Sequence, residues 1–211
     1  MSTFRAPPGR AGRLRLRHGL DIAERGADLL EQKLRILHAE HQRRQRAEEA
    51  AARAWHERLR EAEAWLLRGL LLSGEGALEG AAEALDPTDV EAHWTSFMGV
   101  RYPTNVSCIV PDRSPAAAAP ANTALVHAEA AYREAVRAAA EHATAAAAMR
   151  IIGAEVLSTR QRVRALQRHW IPNLREALTH TELALEQSEH EDAVRRRWAS
   201  SALREERPSS Q

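Results

Sequence analysis

Residues 16–37, LRHGLDIAERGADLLEQKLRIL, decide the fold. From Leu16, the positions Leu20, Ala23, Ala27, Leu30, Leu34, Leu37 and His41 follow in alternating steps of four and three. That spacing is the 3.5-residue period of a coiled-coil seam. It runs on through Arg44, Glu48, Ala51, Trp55, Ala62 and Leu66, with one slip near Leu59. A second series, Ile152, Val156, Thr159, Val163, Leu166, Trp170, Leu174, Leu178, Thr181 and Leu185, lies toward the other end of the chain. A helix with one narrow apolar stripe cannot bury it alone, so each segment needs a partner, and the other is the nearest candidate. The spacing predicts an all-α fold: a long antiparallel two-helix coiled coil whose first helix, of roughly 60 residues, extends on the order of 90 Å.

Composition suits extended helices. Charged residues make up 28% of the 211 positions and aromatic residues only 4%, too little bulky apolar material for two compact cores. Arg supplies nearly all the positive charge, Lys33 being the only lysine, and Asp and Glu balance it to a net +1. Nothing in that balance calls for nucleic acid or an anionic membrane as a partner. Cys108 has no second cysteine to pair with, the N-terminus has no signal-peptide core, and the longest apolar stretch, Trp65 to Leu72, is far short of the roughly 20 residues a membrane span needs. A cytoplasmic chain, peripheral to any membrane, is the expectation.

Along the chain, residues 1–12 hold Pro7, Pro8, Gly9 and Gly12 and read as an irregular arm. The first helix covers 13–72 and is stopped by Ser73, Gly74 and Gly76. The central insert, 73–121, opens with a short Ala/Leu/Glu helix from Ala77 to Leu85. It continues with two β-rich runs, Phe97 to Tyr102 and Val106 to Val110, around a turn at Pro103, Thr104 and Asn105, which predicts a small hairpin. Pro111, Pro115 and Pro120 then enclose an alanine-rich return, after which Asn122 or Thr123 caps a second helix over 122–203. Residues 204–211 read as a disordered tail. Within the second helix, the alanine-rich stretch from Ala135 to Ala148 implies a thin part with little burial. Pro172 removes a backbone hydrogen bond and predicts a kink, where the apolar spacing steps four and four from Trp170 to Leu174 to Leu178 like a stutter.

Catalytic, metal or cofactor residues do not emerge. Gly74, Gly76 and Gly80 lack the Gly-Lys-Ser/Thr of a phosphate loop and read as a helix stop. His38 and His41, with Glu40 beside them, fall short of the three or four convergent ligands of a metal site and read as solvated or seam-polar groups. Cys108 has no flanking His or basic group and reads as a small packed residue. Glu57, Arg60 and Glu61 have the interleaving of a charged solvated face. Arg160, Arg162, Arg164 and Arg168 spread over several helix faces without an aromatic platform for nucleic acid. The polar seam positions His41, Arg44 and Glu48 cost stability, and either specify register or expose a surface to a partner.

Three segments resemble the D subunit of the V-type and archaeal-type rotary ATPases. They are Pro8 to Leu16 followed by Leu20, Ala23, Arg25 to Leu30 and Lys33; Met98-Gly99-Val100 with Tyr102-Pro103; and Thr159 to Leu166 followed by Trp170-Ile171-Pro172-Asn173-Leu174. They occur in the family's order and cover nearly the whole chain. The resemblance implies a non-catalytic rotor shaft in the central stalk. Its partners would be the catalytic and regulatory ring subunits, the small F subunit of the stalk and a membrane-side socket, with no cofactor, nucleic acid, small-molecule ligand or membrane insertion of its own. On that reading Arg13, Arg15, Arg17, Arg195, Arg196 and Arg197 face the ring interior, and Phe97, Met98, Gly99, Val100 and Tyr102 face the F subunit or the socket. A generic antiparallel coiled-coil scaffold is the other reading the heptads allow.

Overall fold

The computed structural model describes residues 9–82, 87–113 and 119–205. Its elements are α1 (Arg10–Ser73), α2 (Gly76–Ala82), β1 (Asp89–Phe97), β2 (Val100–Ile109), α3 (Thr123–Ala165), a π-helical turn (Leu166–Trp170) and α4 (Ile171–Glu205). Two long helical stretches with a small antiparallel hairpin and one short helix between them make up the fold. Helix α1 starts at Arg10, directly after Gly9 with φ 90°, so residues 10–12 belong to the helix and not to an arm. The expected irregular residues 1–8, the end of the short helix at Leu85, Pro115 of the return and the tail beyond Glu205 lie outside the described residues. At its other end α1 stops at Gly74, whose φ of 73° and bond to the Leu70 carbonyl, 2.8 Å, are those of a left-handed cap. Asn122 caps α3: its Oδ1 accepts from Leu125 N at 2.9 Å, and its Nδ2 donates to Gly69 O and Ser73 Oγ on α1.

Among the described residues, the contacts group 9–32 with 159–205, and those between 33 and 158 among themselves. In the first group, Leu16, Ala23, Ala27, Ile171 and Leu174 form the buried centre, flanked by Leu20, Leu166, Ala177 and Leu178. Pairs along its edges show the antiparallel register: Arg10 with Glu189 at 2.7 Å, Arg17 with Glu182 at 2.6 Å, Glu24 with Arg175 at 2.6 Å, and Glu31 with Gln167.

Each step of seven on α1 answers a step of seven on the returning helix, but the last, from Arg175 to Gln167, is eight. The π turn absorbs that extra residue. There the N–H of Ile171 bonds the carbonyl of Leu166, five residues back. Pro172 gives the local reason, because its ring would clash with the carbonyl four residues earlier and it has no N–H to offer; a wider turn relieves both. The seam therefore passes from Leu166 to Ile171, 7% exposed, while Trp170 is 47% exposed. The expected seam position at Trp170 and the stutter after it are corrected: from Ile171 the spacing runs regularly to Leu174 and Leu178.

In the second group, Leu37, Ala62, Ala128, Ala135, Ala148, Ile152 and Val156 are buried along the helices. The alanine-rich stretch is the seat of the hairpin, since Tyr102 packs with Ala148 and Ile152, and Phe97 and Ile151 lie against them. Small side chains there let the strand approach the helix.

The hairpin itself differs from the sequence expectation. Its turn is Met98-Gly99, with φ of 52° and 82°, and its strands pair from Phe97↔Val100 to Asp89↔Ile109. Two-residue hairpin loops favour positive φ at both positions because that twist matches the strands, which Gly99 accepts without cost. Pro103-Thr104-Asn105 is instead part of β2, where the register slips: His93 faces Asn105 and Trp94 faces Pro103, leaving Thr104 as the extra residue of a bulge.

Gly69 is needed for close packing. A Cβ there would lie 2.5 Å from Leu125 Cδ2 and 3.3 Å from Leu125 N, whereas one on Gly26 would meet nothing within 4 Å. Gly69→Ala is expected to lower stability by about 1–3 kcal/mol through overpacking, and Gly26→Ala to raise it by up to about 1 kcal/mol through helix propensity. Urea midpoints followed by circular dichroism check both; equal shifts in the same direction would refute the packing account.

Candidate partner interface

The polar seam positions and the hairpin meet in one place. Glu40 is 6% exposed although it is ionisable. Arg43 Nε and Nη2 each donate to its carboxylate at 2.8 Å, and Arg44 Nε donates at 2.7 Å. Hydrogen bonds from Arg43 are the largest cause holding the Glu40 carboxyl below its ordinary pKa; Arg44 adds to this, and burial opposes it. Arg44 then reaches the hairpin, where its Nη2 donates to Tyr102 Oη at 3.0 Å and its guanidinium lies 4.7 Å from the ring centre. Helix α1 thus fixes β2 through a buried carboxylate, a bridging arginine and a tyrosine 3% exposed.

The neighbouring polar positions are also paired within the chain. Adding a Cβ to Gly153 would bring it within 2.9 Å of His41 Nε2, so the imidazole lies over the glycine. Glu48 pairs with His142 at 3.1 Å, and His142 stacks on Trp55 with ring centres 5.2 Å apart. Of the two readings of this interval, internal register specification has these contacts behind it. After β2, Arg113 and Arg133 both clasp Glu129 at 2.8 Å, tying the return loop to α3. Neither the Glu40 cluster nor this clasp is visible in the sequence, because charged residues off the seam read as solvated. Glu40 is flanked by the seam positions Leu37 and His41, and that adjacency is the one available signal.

The six arginines expected to face a ring are spread out. Arg17 pairs with Glu182, Arg15 is exposed, and Arg13 is half-buried with no hydrogen-bond partner at its Nε. Arg195, Arg196 and Arg197 are exposed and lie past Glu189, the partner of Arg10; at about 1.5 Å per residue, Arg195 is on the order of 9 Å further along α4. They do not sit beside Arg13, Arg15 and Arg17. Among the hairpin residues, Met98 is 42% exposed at the turn with Gly99, and Phe97 and Val100 are half-buried beside it. Tyr102 is part of the interior, so its ring anchors the strand and is covered by this chain's own residues.

Exposed apolar side chains accumulate elsewhere: Leu14, Ile22 and Leu29 on α1 away from the seam, Leu183 and Trp198 on α4, and Leu67, Leu71 and Leu72 near the end of α1. Trp65 lies against His127 near that end, with ring centres 4.7 Å apart and the planes tilted by 31°, and Arg68 sits over its ring. Among the described residues no three His, Cys, Asp or Glu side chains are placed to hold a metal, and no helix is long and apolar enough to cross a membrane.

The fold is that of a paired-helix protein with a small hairpin insert, its polar seam positions paired within the chain and several large apolar side chains exposed outside the seam. The family follows from comparison with known sequences: a model described as that of the ATP synthase D subunit matches residues 13–201, and the chain belongs to that family. The D subunit of the V-type ATP synthase of Thermus thermophilus, with the same figures in two strains, is 30% identical over 189 residues, covering 89% of this chain and 84% of the relative.

Because the Glu40 pKa is lowered by folding, its stabilising effect is present above the ordinary carboxylate value and is lost as pH falls through the lowered one. Glu40→Gln is expected to cost about 1–3 kcal/mol at pH 7 and progressively less below about pH 4. Parallel urea titrations of both proteins across roughly pH 3–7 check this, and a gap independent of pH would refute it.

Proposed function

We propose that this chain is the central rotor shaft of a V/A-type ATPase, passing torque between an ATP-hydrolysing or ATP-synthesising ring and the ion-translocating rotor in the membrane. The match to the D-subunit family over residues 13–201 carries the reading. The chain itself performs no chemistry on this reading; it supports catalysis in the ring by turning.

Several structural features support it. Two wound helices resist torsion, and the heptad-spaced pairs from Arg10/Glu189 to Glu24/Arg175 resist sliding of one past the other. Individually such exposed pairs add little to stability, so their contribution is to register. Arg13, Arg15 and Arg17, with the outward Leu14, Ile22 and Leu29, form the surface assigned to the ring interior. Arg195, Arg196 and Arg197 form a separate basic group further along α4 that meets the ring at another level. The hairpin tip, Phe97, Met98, Gly99 and Val100, is assigned to the small F subunit of the stalk or the membrane-side socket, with Tyr102 as its internal anchor. Pro172 with its π turn is the point at which the shaft departs from a regular helix.

Purification of the tagged chain from its native host under mild conditions is expected to bring down the ATPase ring subunits. Their absence, with a different partner set recovered, would favour a coiled-coil scaffold and overturn the shaft. A second expectation concerns the hairpin: replacing residues 97–110 with a short Gly/Ser linker leaves helicity intact but weakens docking of the F subunit or socket. Unchanged assembly and unchanged ATPase rate in the reconstituted complex would remove the hairpin from the interface.

A further inference from the structure

The strand β1 carries more open surface than a two-stranded hairpin accounts for. All of its residues from Asp89 to Ser96 are exposed, and only Phe97 is half-buried. Its one hydrogen-bonded neighbour is β2, so among the described residues its outer edge has no strand beside it. Nine residues is long for an edge, and natural sheets blunt such edges with Lys, Pro or very short strands to prevent unwanted pairing. β1 has no Lys, Arg or Pro. Its charges, Asp89 and Glu91, sit at its start, which leaves Ala92-His93-Trp94-Thr95-Ser96 without a fixed charge.

Register shows which backbone groups are free. Phe97 and Val100 flank the two-residue turn as a hydrogen-bonded pair, and the alternation of an antiparallel ladder makes Ser96↔Arg101 and Trp94↔Pro103 non-bonded pairs. Pro103, with no N–H, fits such a position. The N–H and C=O groups of Trp94 and Ser96 therefore point away from β2. On one face of the strand Val90 and Trp94 are 52% and 51% exposed, and Arg101 of β2 lies 5.5 Å from the Trp94 ring centre. An aromatic anchor with an arginine beside it is the composition of a binding hot spot.

We propose that the free edge of β1 is a strand-addition site. In the assembled complex it takes an extended segment of a neighbouring subunit, uncharged over about five residues and carrying a Lys or Arg where it passes Glu91. Main-chain bonds to Trp94 and Ser96 supply the pairing, Val90 and Trp94 supply the side-chain contact, and the acidic start of the strand selects the segment's direction. The inference rests on the chain being part of a rotary complex, and it places the contact along the side of the hairpin and not only at its tip.

Hydrogen exchange on the full chain, alone and in the complex isolated from the host, tests it. Peptides covering Val90 to Phe97 are expected to exchange at least ~10-fold more slowly in the complex. Ser96→Pro, which removes an outward N–H while leaving the β1–β2 ladder its bonds, is expected to weaken the contact by ~10-fold. If the complex assembles and β1 exchanges as in the free chain, the strand-addition site is wrong while the shaft reading stands. If β1 is protected in the isolated chain in proportion to its concentration, the edge pairs with a second copy, which also overturns the proposal. If no rotary complex forms with the chain, the shaft reading fails first and takes this partner with it. Should Ser96→Pro lose the β2 protection as well, the exchange comparison on the unmutated protein decides alone.

Discussion

A helix whose apolar residues recur every third and fourth position has a single narrow stripe to remove from water, and only a second helix of the same period can cover it along its whole length. The rest of this protein follows from that constraint. Within the group formed by residues 9–32 and 159–205, Leu16, Ala23 and Ala27 meet Ile171 and Leu174, and the ion pairs at heptad spacing mark the register at which they meet. The one residue too many between Arg175 and Gln167 cannot be left in the seam, because a shift by one position would rotate the later apolar stripe by about 100° away from its partner helix. It is taken up in the π turn ahead of Pro172, and the stripe resumes at Ile171. Proline here relocates an irregularity to where it does least harm to packing.

In residues 33–158 the same constraint meets a different problem, because a two-stranded hairpin is marginal by itself. The solution combines small and polar residues. Ala148 leaves room for Tyr102, and Arg44 spans from Glu40 on its own helix to the tyrosine hydroxyl. Removing one member of such a cluster leaves a charge buried without its partner, so the group holds together as a unit. His41 over Gly153 and Glu48 with His142 repeat the pattern, each pairing a polar seam residue with one specific neighbour. Apolar contacts alone allow many registers along an alanine-rich helix, whereas these polar ones allow few.

Much of this is legible in the sequence. Every position named in the first seam from Leu16 to Leu66 is buried or half-buried, because periodicity is a property of the chain itself. Trp170 falls on the apparent seam and yet outside the real one, because the change of spacing beside Pro172 marks an irregularity without saying whether Trp170 or Ile171 carries the seam across it. The hairpin turn is displaced from its expected place because Pro-Thr-Asn has turn composition, while Met98 at φ 52° is in a conformation that methionine seldom adopts. Most of strand β1 is silent in the sequence, since Asp89-Val90-Glu91-Ala92 has little strand character without its partner. Glu40 is nearly as silent, because apart from its place between the seam positions Leu37 and His41 nothing local distinguishes a carboxylate held by two arginines from one in water. The site residues suffer most from this, since Tyr102 acquires its role only through contacts distant in sequence, and Glu40 through the arginine that reaches it.

The distribution of exposed apolar side chains links the fold to its use. A monomer that buried all it could would place Leu14, Ile22, Leu29, Leu71 and Trp94 under cover, yet each is more than half exposed. They are spread over α1 and the hairpin, where the internal seam and the Tyr102 anchor already account for packing within the chain. Their exposure costs solubility and gives the isolated chain nothing in return. The division of labour is therefore between two kinds of side chain: the internal polar contacts hold the register of the chain, and the large apolar ones outside the seam remain as open surface.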